Sequence, residues 1–353
     1  MLSETKINQC IITITRNCNL RCSFCYAKET GYIENEIIEY EDIKKIVDFC
    51  NEAEIKIVVL TGGEPTLYPR IIDVVKYIKS RENNMLAAIA TNGVQLADFN
   101  FCKELVDNGL DYIDISFKGK DGEECCEVVG RDCFSQQLKA ICNLSVLPIE
   151  FTCSMVLTHY NVYTFCEAIE KAYDSGARQF SFTFVLDNEK SSASDLEYLE
   201  EHNPLILIEA FVSQIDHLNL ITKGEWWVEY SFPLCVYTKQ QLSLLEGRLA
   251  SPCQIFKRNG ITFDEKMNLL PCSMHIENKM GQFGQDFSTY KEFEKIVEEN
   301  PYKNTMDSLS QLPSDNCSLC KYFESCYGGC SVFWKNCSFE SLEKFKECNG
   351  RIK

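Results

Sequence analysis

The chain has 353 residues, of which 45% are apolar and 25% are charged, and its formal net charge is -17. This composition excludes a disordered chain and suits one or two folded domains. The negative charge argues against nucleic acid as a partner, because phosphate binding requires a basic surface. The sequence has no run of about 18 apolar residues and no signal peptide, so it predicts a cytoplasmic protein without a membrane partner.

The predicted compartment decides how the 21 cysteines are interpreted. Thiols stay reduced in the cytosol and lasting disulfides are rare there. Metal ligation is therefore the leading interpretation of cysteines that occur in groups.

The first half of the chain alternates short apolar runs with segments of helical periodicity. The predicted strands cover residues 10–15, 55–61, 85–91, 112–116, 151–157 and 179–185. The predicted helices cover residues 40–49, 71–80, 99–108, 135–144 and 163–173. A repeated strand and helix series builds a parallel sheet, and six units are too few for a closed eight-stranded barrel. We therefore expect an α/β fold, a partial (β/α)6 TIM-like barrel.

The alternation stops near residue 185, and a polar linker from about residue 187 leads into a helix over 204–216. From residue 231 the cysteines occur in groups and regular periodicity fades, as expected for a small domain held by metal sites. The sequence predicts a barrel domain over 1–230 and a cysteine-rich domain over 231–353.

Three cysteines with CxxxCxxC spacing, Cys18, Cys22 and Cys25, follow the first predicted strand. LTGGEP at 60–65, TNG at 91–93 and the Ser116–Lys118 stretch follow the next three strands. The carboxyl ends of parallel strands meet at one face, where ligands bind. Three thiolates hold three irons of a cubane cluster and leave the fourth iron for a small molecule. A zinc site is the alternative.

The CxxxCxxC motif with an aromatic residue at Phe24, followed by GGEP about 40 residues later, resembles the radical S-adenosylmethionine (SAM) superfamily. The resemblance implies a [4Fe-4S] cluster on the three cysteines, with SAM chelated to its free iron. It also implies reductive cleavage of SAM to a 5′-deoxyadenosyl radical, which abstracts a hydrogen atom from the substrate. A reduced flavodoxin or ferredoxin is the implied electron donor.

The same resemblance implies which residues bind SAM. Gly62, Gly63 and Glu64 are expected at the methionine amino group, with Asn92 and Ser116 near the adenosine and methionine portions. Arg131, in VVGRD, is expected to pair with the SAM carboxylate, because guanidinium and carboxylate form forked hydrogen bonds.

A second group of cysteines resembles the SPASM domain of radical SAM enzymes, which carries two auxiliary [4Fe-4S] clusters. The resemblance assigns Cys317, Cys320, Cys326 and Cys348 to a distal cluster. It assigns Cys253, Cys272 and Cys330 to a cluster nearer the active site. A pair of zinc sites in a non-enzymatic scaffold is the alternative.

The nearer set departs from the pattern of sulfatase-maturing members, with Asn259 and Met267 in place of the usual Cys and Gly. Either this cluster keeps an open iron, or Cys235 completes it. A fully ligated buried cluster is the commoner arrangement for electron transfer, which favours Cys235 as ligand.

The resemblance implies a peptide substrate that is oxidised or cross-linked. Peptide epimerisation, with Cys235 as hydrogen donor, remains an alternative, as does a small amino acid or sugar. Sulfatase maturation is disfavoured, because Ser273 stands where those members have Asp. Strand one begins by residue 10, which predicts a separate leader-recognition protein or else a small substrate. Aromatic residues at the domain junction pack there or line the substrate cleft; they are Trp226, Trp227, Tyr230 and Phe232.

Overall fold

The computed structural model describes residues 7–28, 36–187, 190–229, 231–250 and 253–349. One nine-stranded sheet organises them, in the order β7-β6-β5-β4-β3-β2-β1-β8-β9. The strands are β1 (Gln9–Thr15), β2 (Ile57–Gly62), β3 (Leu86–Thr91), β4 (Tyr112–Ser116), β5 (Glu150–Leu157), β6 (Phe180–Phe184), β7 (Trp226–Glu229), β8 (Gly260–Phe263) and β9 (Leu269–Leu270). Every pairing is parallel except that of β8 with β9.

The helices connect these strands and continue through the C-terminal region. The barrel helices are α1 (Tyr40–Glu52), α2 (Ile71–Lys79), α3 (Phe99–Asp107), α4 (Gly122–Val129), α5 (Phe134–Ser145) and α6 (Phe165–Asp174). They are followed by α7 (Asp195–Glu201), α8 (Pro204–Val212), α9 (Ile215–Thr222), α10 (Lys239–Leu244), α11 (Gln254–Lys257), α12 (Tyr290–Ile296), α13 (Tyr302–Leu309), α14 (Phe323–Cys326) and α15 (Phe339–Cys348).

The α/β partial barrel is confirmed, and the six predicted strands lie within two residues of β1 to β6. Apolar and polar residues alternate along β4, which explains why the sequence pattern predicted this strand. Ile113 and Ile115 are buried in the apolar core, whereas Asp114 and Ser116 on the opposite face line the central cavity. Successive side chains of a strand point to opposite faces, so one strand serves both the core and the site.

The single helix predicted over 204–216 is wrong, because α8 ends at Val212 and α9 begins at Ile215, with a bend of 55°. The side-chain amide of Gln214 lies at the break. It donates to the carbonyls of Val162 (2.8 Å) and Ala210 (2.9 Å) and so ties the bend to the loop before α6.

Helix α4 was not predicted at all. It begins at Asp121, whose carboxylate accepts the backbone N–H of Glu124 (2.9 Å), and it ends at Gly130 in a left-handed conformation. A capping carboxylate at the start and a glycine at the end are ordinary helix boundaries.

The C-terminal region joins the barrel through the sheet itself. β8 pairs with β1 from Gln9↔Gly260 to Ile12↔Phe263. Phe49 of α1 is buried and contacts five aromatic rings of this region, at centroid distances from 5.6 to 6.3 Å; they belong to Phe263, Phe283, Phe287, Tyr290 and Phe293. Residues on both sides of position 231 therefore share one apolar core.

Within the described ranges, no single helix has the length and apolar composition needed to cross a membrane. Only the bent pair 195–212 and 215–222 meets those criteria when taken together.

Candidate active site

The three-cysteine loop follows β1 and lines a cavity of about 830 Å³ at the carboxyl ends of the strands. Cys18, Cys22 and Cys25 all contribute to its wall. The pKa of Cys18 is raised to about 11, mainly by burial and to a smaller extent by the negative charges of Glu64, Cys22 and Cys25. The three thiols are thus close enough to repel one another once ionised, which is the arrangement that a cationic cluster relieves.

Helix α4 holds this loop in place. The backbone N–H of Arg21 donates to Val129 O (2.9 Å) and that of Ser23 donates to Val128 O (3.0 Å). The Arg21 guanidinium also donates to Cys18 O (2.8 Å). The helix that local patterns did not predict is therefore the support of the CxxxCxxC motif.

Gly62 and Gly63 have a steric role beside their predicted contact with SAM. A Cβ on Gly62 would lie 2.2 Å from Thr15 O, and one on Gly63 would lie 2.3 Å from Asn17 O. Gly63 N–H donates to Thr15 O and Glu64 N–H donates to Asn17 O, both at 2.7 Å. The glycines therefore admit the backbone that begins the cysteine loop, and both also line the cavity.

Glu64 is buried at the cavity wall, and its carboxylate joins two strand ends. Oε1 accepts from Thr66 N (3.0 Å) and Thr91 Oγ1 (2.6 Å), while Oε2 accepts from Asn92 N (2.7 Å). Burial raises the pKa of Glu64, and these hydrogen bonds oppose the rise. The carboxylate thus fixes the end of β3 relative to GGEP.

Asn92 and Ser116 both line the cavity, and Gln137 of α5 connects them. Its Nε2 donates to Asn92 O (2.6 Å) and Ser116 O (2.9 Å), and its Oε1 accepts from Lys118 N (3.2 Å). Gln137 is completely buried. Nothing in its local sequence indicates this bridging role, because the contact depends on how α5 packs.

Arg131 is exposed and does not line the cavity. Its guanidinium donates weakly to Gln136 Oε1 (3.4 Å). The cations that line the cavity are Lys118 and Lys257. Lys118 is buried and lies 5.3 Å from the Phe24 ring centre, and its charge opposes the rise that burial causes in the pKa of Cys22. Its position directly after β4 was the available sequence signal.

Two carboxyl groups project into the barrel interior. Asp114 and Glu229 both line the cavity, and Asp114 Oδ1 is buried without a hydrogen-bond partner. The pKa of Asp114 is raised to about 6, mainly by burial; a hydrogen bond from Ser154 and the charge of Lys118 oppose the rise, and the charge of Glu229 adds to it. Burial also raises the pKa of Glu229.

The first C-terminal thiol group consists of Cys253, Cys272 and Cys330. The charges of Cys253 and Cys330 add to the effect of burial in raising the pKa of Cys272. Cys253 and Cys330 line the same 830 Å³ cavity as the N-terminal loop. Nearby, both ring nitrogens of buried His275 have partners, at Ser331 Oγ (2.8 Å) and Asn278 Nδ2 (3.2 Å).

The second C-terminal thiol group contains Cys317, Cys320 and Cys326 of the predicted distal set. A separate cavity of about 320 Å³ is lined by Cys235, Cys317, Cys320 and Cys326. Cys348 does not line it and is exposed at the end of α15. The structure therefore places Cys235 with the distal cysteines, not with Cys253, Cys272 and Cys330.

The donor chemistry of these thiols fits iron–sulfur clusters. The thiolates of a cubane each bind a different iron and need not converge on one point. Within the described ranges, no three His, Cys, Asp or Glu side chains converge closely enough for a single metal ion.

Of the aromatic residues at the domain junction, Trp226 packs in the core and Phe232 lines a cavity. Trp226 is buried against Phe182 and Phe211, at 6.4 and 5.9 Å. Phe232 stacks on Phe184 (5.3 Å) and lines a side cavity of about 470 Å³ that also reaches Phe24 and Cys25. Tyr230 lies outside the described residues.

Comparisons with known proteins agree with this geometry. Residues 12–172 match the model of the Radical SAM superfamily. A curated relative named "Probable GTP 3',8-cyclase" from Thermoplasma volcanium is 30% identical over 203 residues, which are 56% of this chain and 60% of that protein. One of the same name from Pyrococcus abyssi is 32% identical over 131 residues, 37% of this chain and 41% of that protein.

Two solved structures share the fold over nearly the whole chain. Native anSMEcpe with bound AdoMet and Cp18Cys peptide superposes with a TM-score of 0.68 at 19% identity, covering 96% of this chain and 95% of that one. Streptococcus suis SuiB bound to precursor peptide SuiA superposes with a TM-score of 0.65 at 15% identity, covering 96% and 76%. The residues that match the family model include the cysteine loop and the strand ends that line the cavity. This chain therefore carries a radical SAM domain over residues 12–172.

Proposed function

We propose that this chain is a radical SAM enzyme that removes a hydrogen atom from a peptide and leaves it oxidised or cross-linked. The observation that carries the proposal is the 830 Å³ cavity, which has Cys18, Cys22 and Cys25 on one wall and Cys253 and Cys330 on another. A substrate between those walls contacts both the SAM site and a thiol group able to hold an auxiliary cluster.

Cys18, Cys22 and Cys25 would hold a [4Fe-4S] cluster that binds SAM, and Cys253, Cys272 and Cys330 would hold an auxiliary one. When bound, the first cluster and SAM supply a 5′-deoxyadenosyl radical that abstracts a hydrogen atom, and the auxiliary clusters accept an electron. A reduced flavodoxin or ferredoxin would supply the initiating electron, and a separate protein would present the leader peptide.

The protein's own residues bind and orient the reactants. Gly62 and Gly63 let the cysteine loop lie against β2, and Glu64 and Gln137 fix the strand ends that carry Asn92 and Ser116 at the cavity. Oxidation of a peptide also releases a proton. Asp114, with a pKa of about 6 inside the cavity, is suited to accept it near neutral pH.

A nucleoside triphosphate substrate is the second candidate, because the curated sequence relatives are named GTP 3',8-cyclases. Their matches cover only 37 to 63% of this chain. The carboxyl groups of Asp114 and Glu229 in this cavity would repel a triphosphate, but Lys118 and Lys257 line the same cavity and would attract it. The charge of the cavity therefore does not decide between the two substrates. SuiB and anSMEcpe each cover 96% of this chain in a structure that was solved with a bound peptide, which favours the peptide.

The test compares substrates in one assay. The anaerobically reconstituted chain is incubated with SAM, dithionite and either GTP or each peptide encoded by short reading frames beside its gene. We expect one of those peptides to increase 5′-deoxyadenosine formation and to lose two hydrogens in mass. An increase with GTP alone would refute the peptide assignment, and a peptide product of unchanged mass would indicate epimerisation instead.

A further inference from the structure

Lys118 brings a buried positive charge to the wall that carries the cysteine loop. The residue is 5% exposed, and it lines the 830 Å³ cavity together with Cys18, Cys22 and Cys25. Its ammonium lies 5.3 Å from the ring centre of Phe24, which stands between Cys22 and Cys25 in the chain. Lysine side chains are almost never fully buried unless their charge is paired, so this position needs an explanation.

Two hydrogen bonds fix Lys118 in this place. Its backbone N–H donates to Gln137 Oε1 (3.2 Å), and its ammonium donates to the hydroxyl of Ser116. Gln137 is completely buried and also donates to Ser116 O (2.9 Å), so the three residues hold one another. A hydroxyl group is neutral, and this contact therefore leaves the positive charge uncompensated.

The charge of Lys118 reaches the thiols of the loop. Burial raises the pKa of Cys22, and among the charges that act on this thiol that of Lys118 is the largest. Its effect opposes the rise, whereas the charges of Cys25 and Cys133 add to it. A cysteine binds iron as the negative thiolate, which a neighbouring cation stabilises.

Other charged groups near the loop are compensated or exposed. The Glu64 carboxylate accepts four hydrogen bonds from neighbouring groups. Arg16 is buried, but its guanidinium pairs with the Glu265 carboxylate at 2.7 Å. Arg21 is exposed, and its guanidinium donates to two backbone carbonyls of the loop. Lys118 therefore differs from the two arginines, because its charge is buried and its hydrogen-bond acceptor is neutral.

Asp114 carries the charge that opposes Lys118 inside the cavity. The two groups are within electrostatic reach, since the charge of Lys118 opposes the rise that burial causes in the pKa of Asp114. Asp114 is not, however, among the main groups that act on Cys18 or Cys22. The field at the cysteine loop therefore contains the positive contribution of Lys118 without an equal negative one from Asp114.

A fixed cation beside an iron–sulfur cluster stabilises its reduced form. Reduction adds one electron, so the cluster becomes more negative by one unit, and no bond forms or breaks. The potential of such a cluster depends on the net charge around it, on hydrogen bonds to its sulfurs and on its exposure to solvent. A buried charge is screened much less than an exposed one. A cation in the place of Lys118 therefore favours uptake of the electron.

We propose that Lys118 raises the reduction potential of the cluster held by Cys18, Cys22 and Cys25, the SAM cluster, and so eases its reduction by a one-electron donor. The inference rests on the proposed function, because it assumes that these cysteines hold a cluster. Lys118 acts through space on the electron that enters the cluster. It takes no part in the transfer of a hydrogen atom or a proton.

The test measures a potential rather than an activity. Lys118→Met removes the charge, Lys118→Arg keeps it, and Lys257→Met removes the charge of another lysine that lines the same cavity. Each anaerobically reconstituted full chain is poised electrochemically at fixed potentials without SAM, and electron paramagnetic resonance follows the reduced cluster. Auxiliary signals are removed by subtracting the spectrum of a chain with three Ala substitutions, at Cys18, Cys22 and Cys25.

We expect Lys118→Met to shift the equilibrium of the SAM cluster toward the oxidised form by about tenfold, which is a potential lower by about 59 mV for one electron. Lys118→Arg and Lys257→Met should match the parent. Iron content and circular dichroism show whether each variant is loaded and folded. If Lys118→Met takes up no iron, Lys118→Gln keeps a hydrogen-bond donor for Ser116 and is expected to give the same shift.

An unchanged potential in Lys118→Met would overturn the proposal, and so would an equal shift in Lys257→Met, which would indicate a general effect of charge in the cavity. Addition of SAM to each protein gives a second reading. A Lys118→Met protein that keeps the parent's potential but responds to SAM only at higher concentration would show that Lys118 binds SAM instead. A parent without any signal from the SAM cluster would contradict the proposed function itself, so the two failures are distinguishable.

Discussion

The parallel barrel and the C-terminal cysteine region reach their order by different means. In the barrel, each of β1 to β6 pairs with its sequence neighbours and buries an apolar face. The described helices from residue 239 onward are only 4 to 10 residues long, and many of the region's contacts reach distant residues, such as β8 to β1 and Phe263 to Phe49. The order of the barrel therefore follows from local patterns, whereas that of the cysteine region follows from long-range contacts.

The largest expected effect is a loss of peptide conversion, with SAM cleavage retained, when a cysteine of the C-terminal region is replaced. Cys320→Ala removes a thiol of the distal site that does not line the central cavity, whereas Cys326→Ala removes one that lines both cavities. We expect 5′-deoxyadenosine to form still, while conversion of the peptide falls by at least about 100-fold, because the electron taken up by the nearer auxiliary cluster can no longer leave through the distal one. Product mass and 5′-deoxyadenosine are quantified together, with Cys142→Ala as the control. Normal peptide conversion in these variants would count against an auxiliary cluster.

The second prediction concerns the aromatic contact between the barrel and the C-terminal region. Phe49→Ala removes a buried ring that contacts five others across the interface. We expect a loss of about 3–5 kcal/mol in the free energy of unfolding, typical of a buried Phe truncated to Ala. Urea denaturation measures it, and the exposed Phe99→Ala is the control. Equal stability of the two variants would show that the regions do not depend on this contact.

The acidic barrel interior predicts a dependence on pH. The pKa of Asp114 is raised from 3.8 to about 6, so between these pH values the folded chain holds a proton that the unfolded chain has lost. The free energy of unfolding should therefore fall as pH rises from about 4 to 6, by at most about 3 kcal/mol from this group. Asp114→Asn should flatten that fall, and the exposed Asp107→Asn should not. The same dependence of the free energy of unfolding on pH in both variants would contradict a raised pKa of Asp114.

The smallest effect tests the contact between GGEP and the cysteine loop. Gly62 and Gly284 both have positive φ values. An added Cβ on Gly62 would clash with the backbone of Thr15, whereas one on Gly284 would have no atom within 4 Å. Gly62→Ala should therefore cost about 1–3 kcal/mol more than Gly284→Ala, the usual range for overpacking. Thermal unfolding under matched conditions measures the difference. Identical midpoints would rule out the steric role of Gly62.

The limits of sequence reasoning follow the same division. The six barrel strands were predictable because alternation and apolar runs are local signals, and the cysteine loop and GGEP fall at strand ends as expected. β8 could not be predicted as a neighbour of β1, since about 250 residues separate them. Arg131 was chosen for its chemistry, but Lys118 reaches the cavity because it follows β4 directly. Cys235 lies near the distal cysteines partly because Gly329 lets the backbone of Pro233 approach closely, which no spacing rule includes.

The most direct test of the central cavity as a SAM-dependent site is 5′-deoxyadenosine formation by the anaerobically reconstituted protein with SAM and dithionite. We predict that the parent forms it and that Cys18→Ala, Cys22→Ala and Cys25→Ala each form none above background. A colourless, iron-free parent, or 5′-deoxyadenosine from any of the three variants at the parent's rate, would contradict the assignment.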